Sequence, residues 1–189
     1  MFKNTIFRRM TALVLTLALA AAAALPGLAV YPMPIQTASE TEAVYLFNAD
    51  TGKTILNQNA DQQQYVASLT KLMTALLLLE SGKDLNGEVT VPTALTQEFR
   101  DIQNANGTTM GLRIGETVHR IDLLNAMLIV SANDAASVIA YDVGGSVLDF
   151  VKQMNARAQE LGCTGTNFTC AHGLFDSVSY THLRAHETR

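Results

Sequence analysis

The sequence predicts an α+β fold in which one β-hairpin precedes a run of helices. Three observations carry this reading. Residues 43 to 56 have the pattern of two short strands about a tight turn. Ser68 to Glu80 and Ile121 to Val130 are apolar runs of helical length. Glycines stand where successive helical stretches should stop, at Gly82, Gly144-Gly145 and Gly162.

Ala43 to Asn48 reads as a strand, Asp50-Thr51-Gly52-Lys53 as the turn and Thr54 to Leu56 as the returning strand. Asn57 to Tyr65 is a polar connection. In the helix from Ser68 to Glu80, Leu72, Met73, Ala75 and Leu76 to Leu79 cover every side, which predicts a helix running through the middle of the domain. Asn86 to Glu116 contains Pro92, Asn106-Gly107, Gly111 and Gly115 and has no strong period, so short helical pieces and turns are expected. Ile121 to Val130 forms a second apolar helix, and Asn133 to Asp142 a third. Val147 to Leu161 places Val147, Phe150, Val151, Met154 and Ala158 on one stripe.

The start of the chain has the features of an export signal. Lys3, Arg8 and Arg9 precede an uncharged stretch from Met10 to Leu25, and Gly27-Leu28-Ala29 supplies small residues for cleavage after Ala29. The competing reading is an uncleaved membrane anchor. On the first reading, residues 1–29 are a signal peptide, 30–42 a Pro-containing lead-in, and the protein is exported to the periplasm or cell envelope. Residues 30 to 176 carry 16 acidic residues against 8 Lys or Arg, which argues against a nucleic-acid partner. Cys163 and Cys170 invite a disulfide in an oxidising compartment, but spacing does not fix connectivity. No metal-ligand spacing accompanies the cysteines or histidines, so neither metal nor cofactor is predicted.

Two polar clusters interrupt the apolar runs. Ser68 and Lys71 lie three residues apart, a separation that puts side chains on one helix face with Cβ atoms roughly 5 to 6 Å apart. A serine hydroxyl needs a base to become a nucleophile, and a lysine becomes one at neutral pH when burial lowers its pKa. The helix N-terminus also favours the negative charge that develops during acyl transfer. The bland alternative is a Ser cap followed by a surface lysine. Against it stands the company of Lys71, a lone charge in an otherwise apolar helix. Ser131 and Asn133 are candidate partners for it if the Ile121 helix packs beside the Ser68 helix; otherwise they mark an ordinary helix-to-helix corner. His172, followed by Gly173-Leu174, reads as part of a turn, and Asp122 and Asp134 as caps or solvated positions. Asn106-Gly107-Thr108 and Asn167-Phe168-Thr169 match a glycosylation pattern by chance.

Taken together, Val66-Ala67-Ser68-Leu69-Thr70-Lys71, Ser131-Ala132-Asn133-Asp134-Ala135-Ala136, Leu161-Gly162, Phe168 and His172-Gly173-Leu174 resemble, in order and spacing, the D-alanyl-D-alanine carboxypeptidases, or low-molecular-weight penicillin-binding proteins. The resemblance covers residues 43–176. It implies a β-lactamase/DD-peptidase-like fold, with Ser68 as the acylated nucleophile and Lys71 as its base. It also implies Ser131 as a proton-relay hydroxyl and Asn133 as a contact to the substrate amide. The implied partners are a peptidoglycan stem peptide ending in D-Ala-D-Ala and β-lactams as covalent inhibitors, with peripheral membrane association in a full-length parent.

A third element of this family, a Lys-Thr-Gly on a sheet strand, does not follow, and residues 177–189 have the look of a non-native tail. The expectation is therefore a partial catalytic domain without the later sheet strands, loosely packed and of little activity as it stands. Three alternatives are carried forward. A serine β-lactamase would need a carboxylate for its deacylating water, yet no Glu-x-x-x-Asn occurs. A D,D-endopeptidase would differ only in the peptide it cuts. A protein of another class would bind peptidoglycan or serve a structural role without turnover.

Overall fold

A computed structural model of the chain describes residues 41–174. The signal read at residues 1–29, nearly all of the 30–42 lead-in and the tail at 177–189 lie outside the described residues. The architecture is α+β. β1 (Val44–Asn48) and β2 (Lys53–Gln58) form an antiparallel hairpin, and β3 (Glu88–Thr90) pairs antiparallel with β4 (Thr117–His119). The helices are α1 (Thr70–Glu80), α2 (Thr96–Asn104), α3 (Arg120–Ile129), α4 (Asn133–Gly144) and α5 (Val147–Glu160).

The hairpin turn closes through Thr51 N–H to Asn48 Oδ1 and Gly52 N–H to Asn48 O, each 2.9 Å, with Gly52 at φ +66°. That left-handed conformation is open to glycine without strain. β2 runs two residues past its predicted end because Asn57 and Gln58 continue the ladder opposite Tyr45 and Val44. A short 3₁₀ turn, Ala67–Leu69, leads into α1 and carries Ser68.

The centre of the molecule is α4, not α1. Every residue from Asn133 to Ala140 is buried, and α4 packs against α1, α2, α3 and α5. Its Ala, Ser and Val side chains make a narrow helix that neighbours can approach from all sides. By contrast α1 buries Lys71, Thr74, Ala75 and Leu78 but leaves Leu72 and Leu79 more than half exposed, at 52% and 56%. Leucines on every side of α1 therefore do not mean cover on every side.

Helix ends follow the glycine signals. Gly145 closes α4 in the left-handed conformation at φ +77°, and Gly162 follows α5 at φ +82°. Ser146 caps α5 by accepting the Asp149 N–H at 3.0 Å. Phe150, Val151, Met154 and Ala158 bury the stripe read from the sequence. The β3–β4 ribbon was not anticipated. Its three-residue strands lie far apart in the chain, with no tight turn between them to announce a pairing.

The segment after α5 is laid back across the helices by its own carbonyls. Asn155 brackets Phe168, donating to its O and accepting from its N–H at 2.7 Å each, and Thr74 Oγ1 donates to Ala171 O at 2.6 Å. Cys163 and Cys170 are buried and form no disulfide with each other.

The two faces of α1 make a direct test. Leu78→Ala, at a fully buried site, is expected to cost about 2–5 kcal/mol. Leu79→Ala, one residue on, is expected to stay within about 1 kcal/mol. Urea denaturation of both variants checks this, and equal losses would contradict the packing described.

Candidate active site

Three chain segments meet at Lys71: the turn into α1, the corner between α3 and α4, and the bent segment at residues 170–174. Lys71 is 3% exposed. Its Nζ donates to Ser68 Oγ at 3.1 Å, to Asn133 Oδ1 at 2.8 Å and to the His172 carbonyl at 2.8 Å. Ser131 Oγ donates to the same Ser68 hydroxyl at 2.9 Å. The surface turn thus places Ser68 in solvent, directly above an amine that is out of it.

The corner reading of Ser131 and Asn133 holds, and of the two only Asn133 is a partner of Lys71, Ser131 bonding Ser68 instead. The residues do join α3 to α4, and that corner delivers Ser131 to Ser68 and Asn133 to Lys71. Asn133 Nδ2 donates to Thr108 O at 2.9 Å, which fixes the amide so that Oδ1 faces the lysine. With 4% exposure, Asn133 is engaged inside the protein at both ends of its amide.

Backbone strain concentrates at this junction. Ala67 and Ser131 sit at φ +44° and +61°, conformations that non-glycine residues seldom take. Gly173, at φ +77°, lies so close to Ala67 that a Cβ would collide with the Ala67 carbonyl oxygen. The Gly173 signal was present in the sequence as a turn glycine, but its tertiary reason was not.

Burial lowers the Lys71 pKa to about 8, opposed by the negative charge that a Cys170 thiolate would place nearby. Burial pushes the Cys170 thiol up, but the hydrogen bond and charge of His172 and the N–H groups of His172 and Gly173 outweigh this and bring it to about 7. His172 is fully buried; its Nε2 lies 3.1 Å from Glu98 Oε1, which also accepts from Ser137 Oγ at 3.1 Å. Burial works against the charged imidazole, yet Cys170 and Glu98 together raise its pKa. The His172 side chain belongs to this buried pair, as its reading as a turn residue allows, while its carbonyl serves Lys71.

Asp134 departs from expectation. It is 2% exposed rather than solvated, and its two oxygens accept N–H bonds from Met110, Gly111, Leu112 and Ala135 at 2.9–3.0 Å. Asp122 is exposed in the first turn of α3. Beside the site, Val66, Leu69, Leu72, Met127 and Leu128, with Ser68, Lys71 and Ser131, line an open cavity of about 420 Å³.

Residues 32–185 match the family model described as D-alanyl-D-alanine carboxypeptidase. The chain belongs to that family. It is 36% identical over 156 residues to D-alanyl-D-alanine carboxypeptidase DacA of Haemophilus influenzae, covering 80% of this chain and 38% of that protein. It is 34% identical over 142 residues to a D-alanyl-D-alanine endopeptidase of Pseudomonas aeruginosa, covering 75% and 44%. Among solved structures it is similar to penicillin binding protein 5 of Haemophilus influenzae, with TM-score 0.62 and 34% identity over 71% of this chain and 39% of that one. The β-lactamase/DD-peptidase-like fold expected from the motifs is that of these structural neighbours. The chain spans about two fifths of the length of the curated relatives it matches.

The lysine supplies a test of the site. With a folded-state pKa near 8 against 10.5 in water, burial of the ammonium costs folding about 3 kcal/mol at pH below 8. Between pH 8 and 10.5 the unfolded chain holds the proton that the folded chain has released, so this cost fades as pH rises. NMR titration of isotope-labelled Lys71 is expected to show a midpoint near 8. A midpoint above 10 would put the amine in water.

Proposed function

We propose that this chain carries the acylating half of a serine-type D-Ala-D-Ala carboxypeptidase site, with peptidoglycan stem peptides as substrate. The observation that carries the reading is the contact of Ser68 Oγ with both a buried amine and a second hydroxyl, at 3.1 and 2.9 Å. Family membership supports the choice of substrate.

In this reading Ser68 Oγ attacks the carbonyl carbon of the penultimate D-Ala while its proton passes to neutral Lys71. The tetrahedral adduct collapses as the C–N bond breaks. The departing D-Ala nitrogen takes a proton from Ser131 Oγ, which is refilled from Lys71. Water then cleaves the ester with proton flow reversed, restoring Ser68 and releasing the shortened stem. Asn133 holds Lys71, and with its amide bonded at both ends it serves the amine rather than the substrate amide that the family resemblance implied. The apolar wall formed by Val66, Leu69, Leu72, Met127 and Leu128 suits the methyl side chains of D-Ala.

β-Lactams are covalent inhibitors in the same reading, because their amide carbonyl presents the same target to Ser68. The relative named an endopeptidase supports a second reading, in which the leaving group is the amine of a cross-linked stem. We also propose that the protein works outside the cytoplasm, in the cell envelope. The basic start, apolar stretch and small-residue site within residues 1–29 support this.

Fluorescent penicillin offered to the whole protein containing this segment is expected to label Ser68, and Ser68→Ala to abolish labelling. Lys71→Ala is expected to slow acylation by about 10²–10⁴-fold, the range for loss of a positioned base. Labelling that survives in Ser68→Ala would overturn the reading. Release of D-Ala from a pentapeptide, against cleavage of a cross-linked dimer, separates carboxypeptidase from endopeptidase.

A further inference from the structure

We infer that Asp134 is a positioning residue for the acylation step, acting on Lys71 through the 108–112 loop and Asn133. The inference rests on the base role proposed for Lys71 and extends it to a residue that touches neither the nucleophile nor the amine.

Loop 108–112 has no helix or strand of its own. Its consecutive N–H groups at Met110, Gly111 and Leu112 instead converge on the Asp134 carboxylate, each at 3.0 Å. Oδ1 also accepts from Ala135 N–H at 2.9 Å, which ties the same carboxylate to the first turn of α4. An ionised carboxylate is acceptor-only, with room for about four such bonds. Donation from oriented backbone dipoles is the compensation a buried anion needs.

Two residues before this cradle, Thr108 O accepts from Asn133 at both N and Nδ2, at 2.8 and 2.9 Å. Those bonds aim Asn133 Oδ1 at Lys71 Nζ. The path is therefore continuous: Asp134 shapes the loop, the loop presents a carbonyl, the carbonyl sets the amide, and the amide holds the amine. Gly107 packs against the Asn133 side chain and Leu174, leaving little room for a loop of another shape.

The charged and titratable groups that face Lys71 are few. Cys170 and His172 lie on the segment beside it, with Glu98 of α2 behind His172, and among the described residues no carboxylate bonds the amine directly. Burial is the main reason its pKa is low. Loosening the loop frees Asn133 at the start of α4 from Thr108 O and opens the α4 corner beside Lys71, so that water reaches the amine and its pKa rises toward its value in water.

Asp134→Asn keeps the shape but turns an NH₂ toward backbone N–H donors. In the whole protein this variant is expected to stay folded and to acylate with penicillin roughly 10- to 100-fold more slowly, the scale of a misplacement of about 1 Å. The rising limb of its acylation rate against pH is expected to move up by about half a unit or more, because that limb reports the base of the free enzyme. A purely structural role would lower the melting temperature and the active fraction without moving the limb. A limb that stays at the wild-type pH, or falls, overturns the inference. If Asp134→Asn does not fold, Asp134→Glu, which retains the charge and displaces it by one methylene, is judged by the same limb. Lys71→Ala runs in parallel: acylation at the wild-type rate in that variant would remove the base reading itself, whereas its loss together with an unmoved Asp134→Asn limb would remove only the role of Asp134.

Discussion

A lysine amine held out of water by two carbonyls is the constraint on which the site depends. Asn133 Oδ1 and His172 O can only accept, and each lies 2.8 Å from Lys71 Nζ. As an ammonium, Lys71 fills both and gives its third hydrogen to Ser68. As a neutral amine it still gives both remaining hydrogens to the carbonyls, so its lone pair is left pointing at Ser68 Oγ. The two carbonyls thus select the geometry of a base without themselves taking part in proton transfer. Desolvation supplies the other half by making the neutral form accessible near pH 8.

Holding those carbonyls in place requires three remote segments to agree. The solution is a rigid, narrow helix at the centre with loops gathered at its N-terminal end. α4 is buried from its first residue, so Asn133 cannot swing outward, and the corner before it forces Ser131 into a left-handed conformation. Ala67 carries a similar strain on the opposite side, and Gly173 fits against it where no side chain would. Strained non-glycine positions cost on the order of 1–3 kcal/mol each and persist only where surrounding packing imposes them. Here both flank the Ser68 hydroxyl: Gly173 lies against Ala67, and the corner after Ser131 is held by Ala132 N–H to Ala126 O at 3.1 Å and Asn133 N–H to Thr108 O at 2.8 Å.

What could be read from residues alone follows from how locally each feature is determined. The hairpin, the glycine stops and the α5 stripe depend on neighbours a few positions away, and they were legible. Ser68 and Lys71 were legible as a pair because three residues of helix fix their separation. The rank of the helices was not. Leucine records that a side chain prefers to leave water, whereas centrality depends on how closely other helices can approach, and alanine permits that better. The His172 carbonyl and the amides of residues 110–112 left no trace either, since any residue carries those groups. Asp134 was read as a cap or a solvated position, and only the converging N–H groups of residues 110–112 show why it is buried.

The separation of the exposed Ser68 hydroxyl from the buried Lys71 amine has a further consequence. α4 and the segment at residues 170–174 supply the two carbonyls that hold the amine, Asn133 Oδ1 and His172 O, and Lys71 itself lines the cavity with Val66, Leu69, Leu72 and Leu128. In the proposed reading a substrate entering that cavity meets Ser68 and Ser131, while Asn133 and His172, whose carbonyls hold Lys71, are not among the residues that line it. Basicity therefore does not wait on closure around the substrate; it is established by the folded chain. The apolar surface that α1 and α3 leave open at Leu72, Leu79, Leu128 and Ile129 can then vary in what covers it while the Ser68–Lys71–Ser131 geometry, anchored by Asn133 and His172, stays as it is.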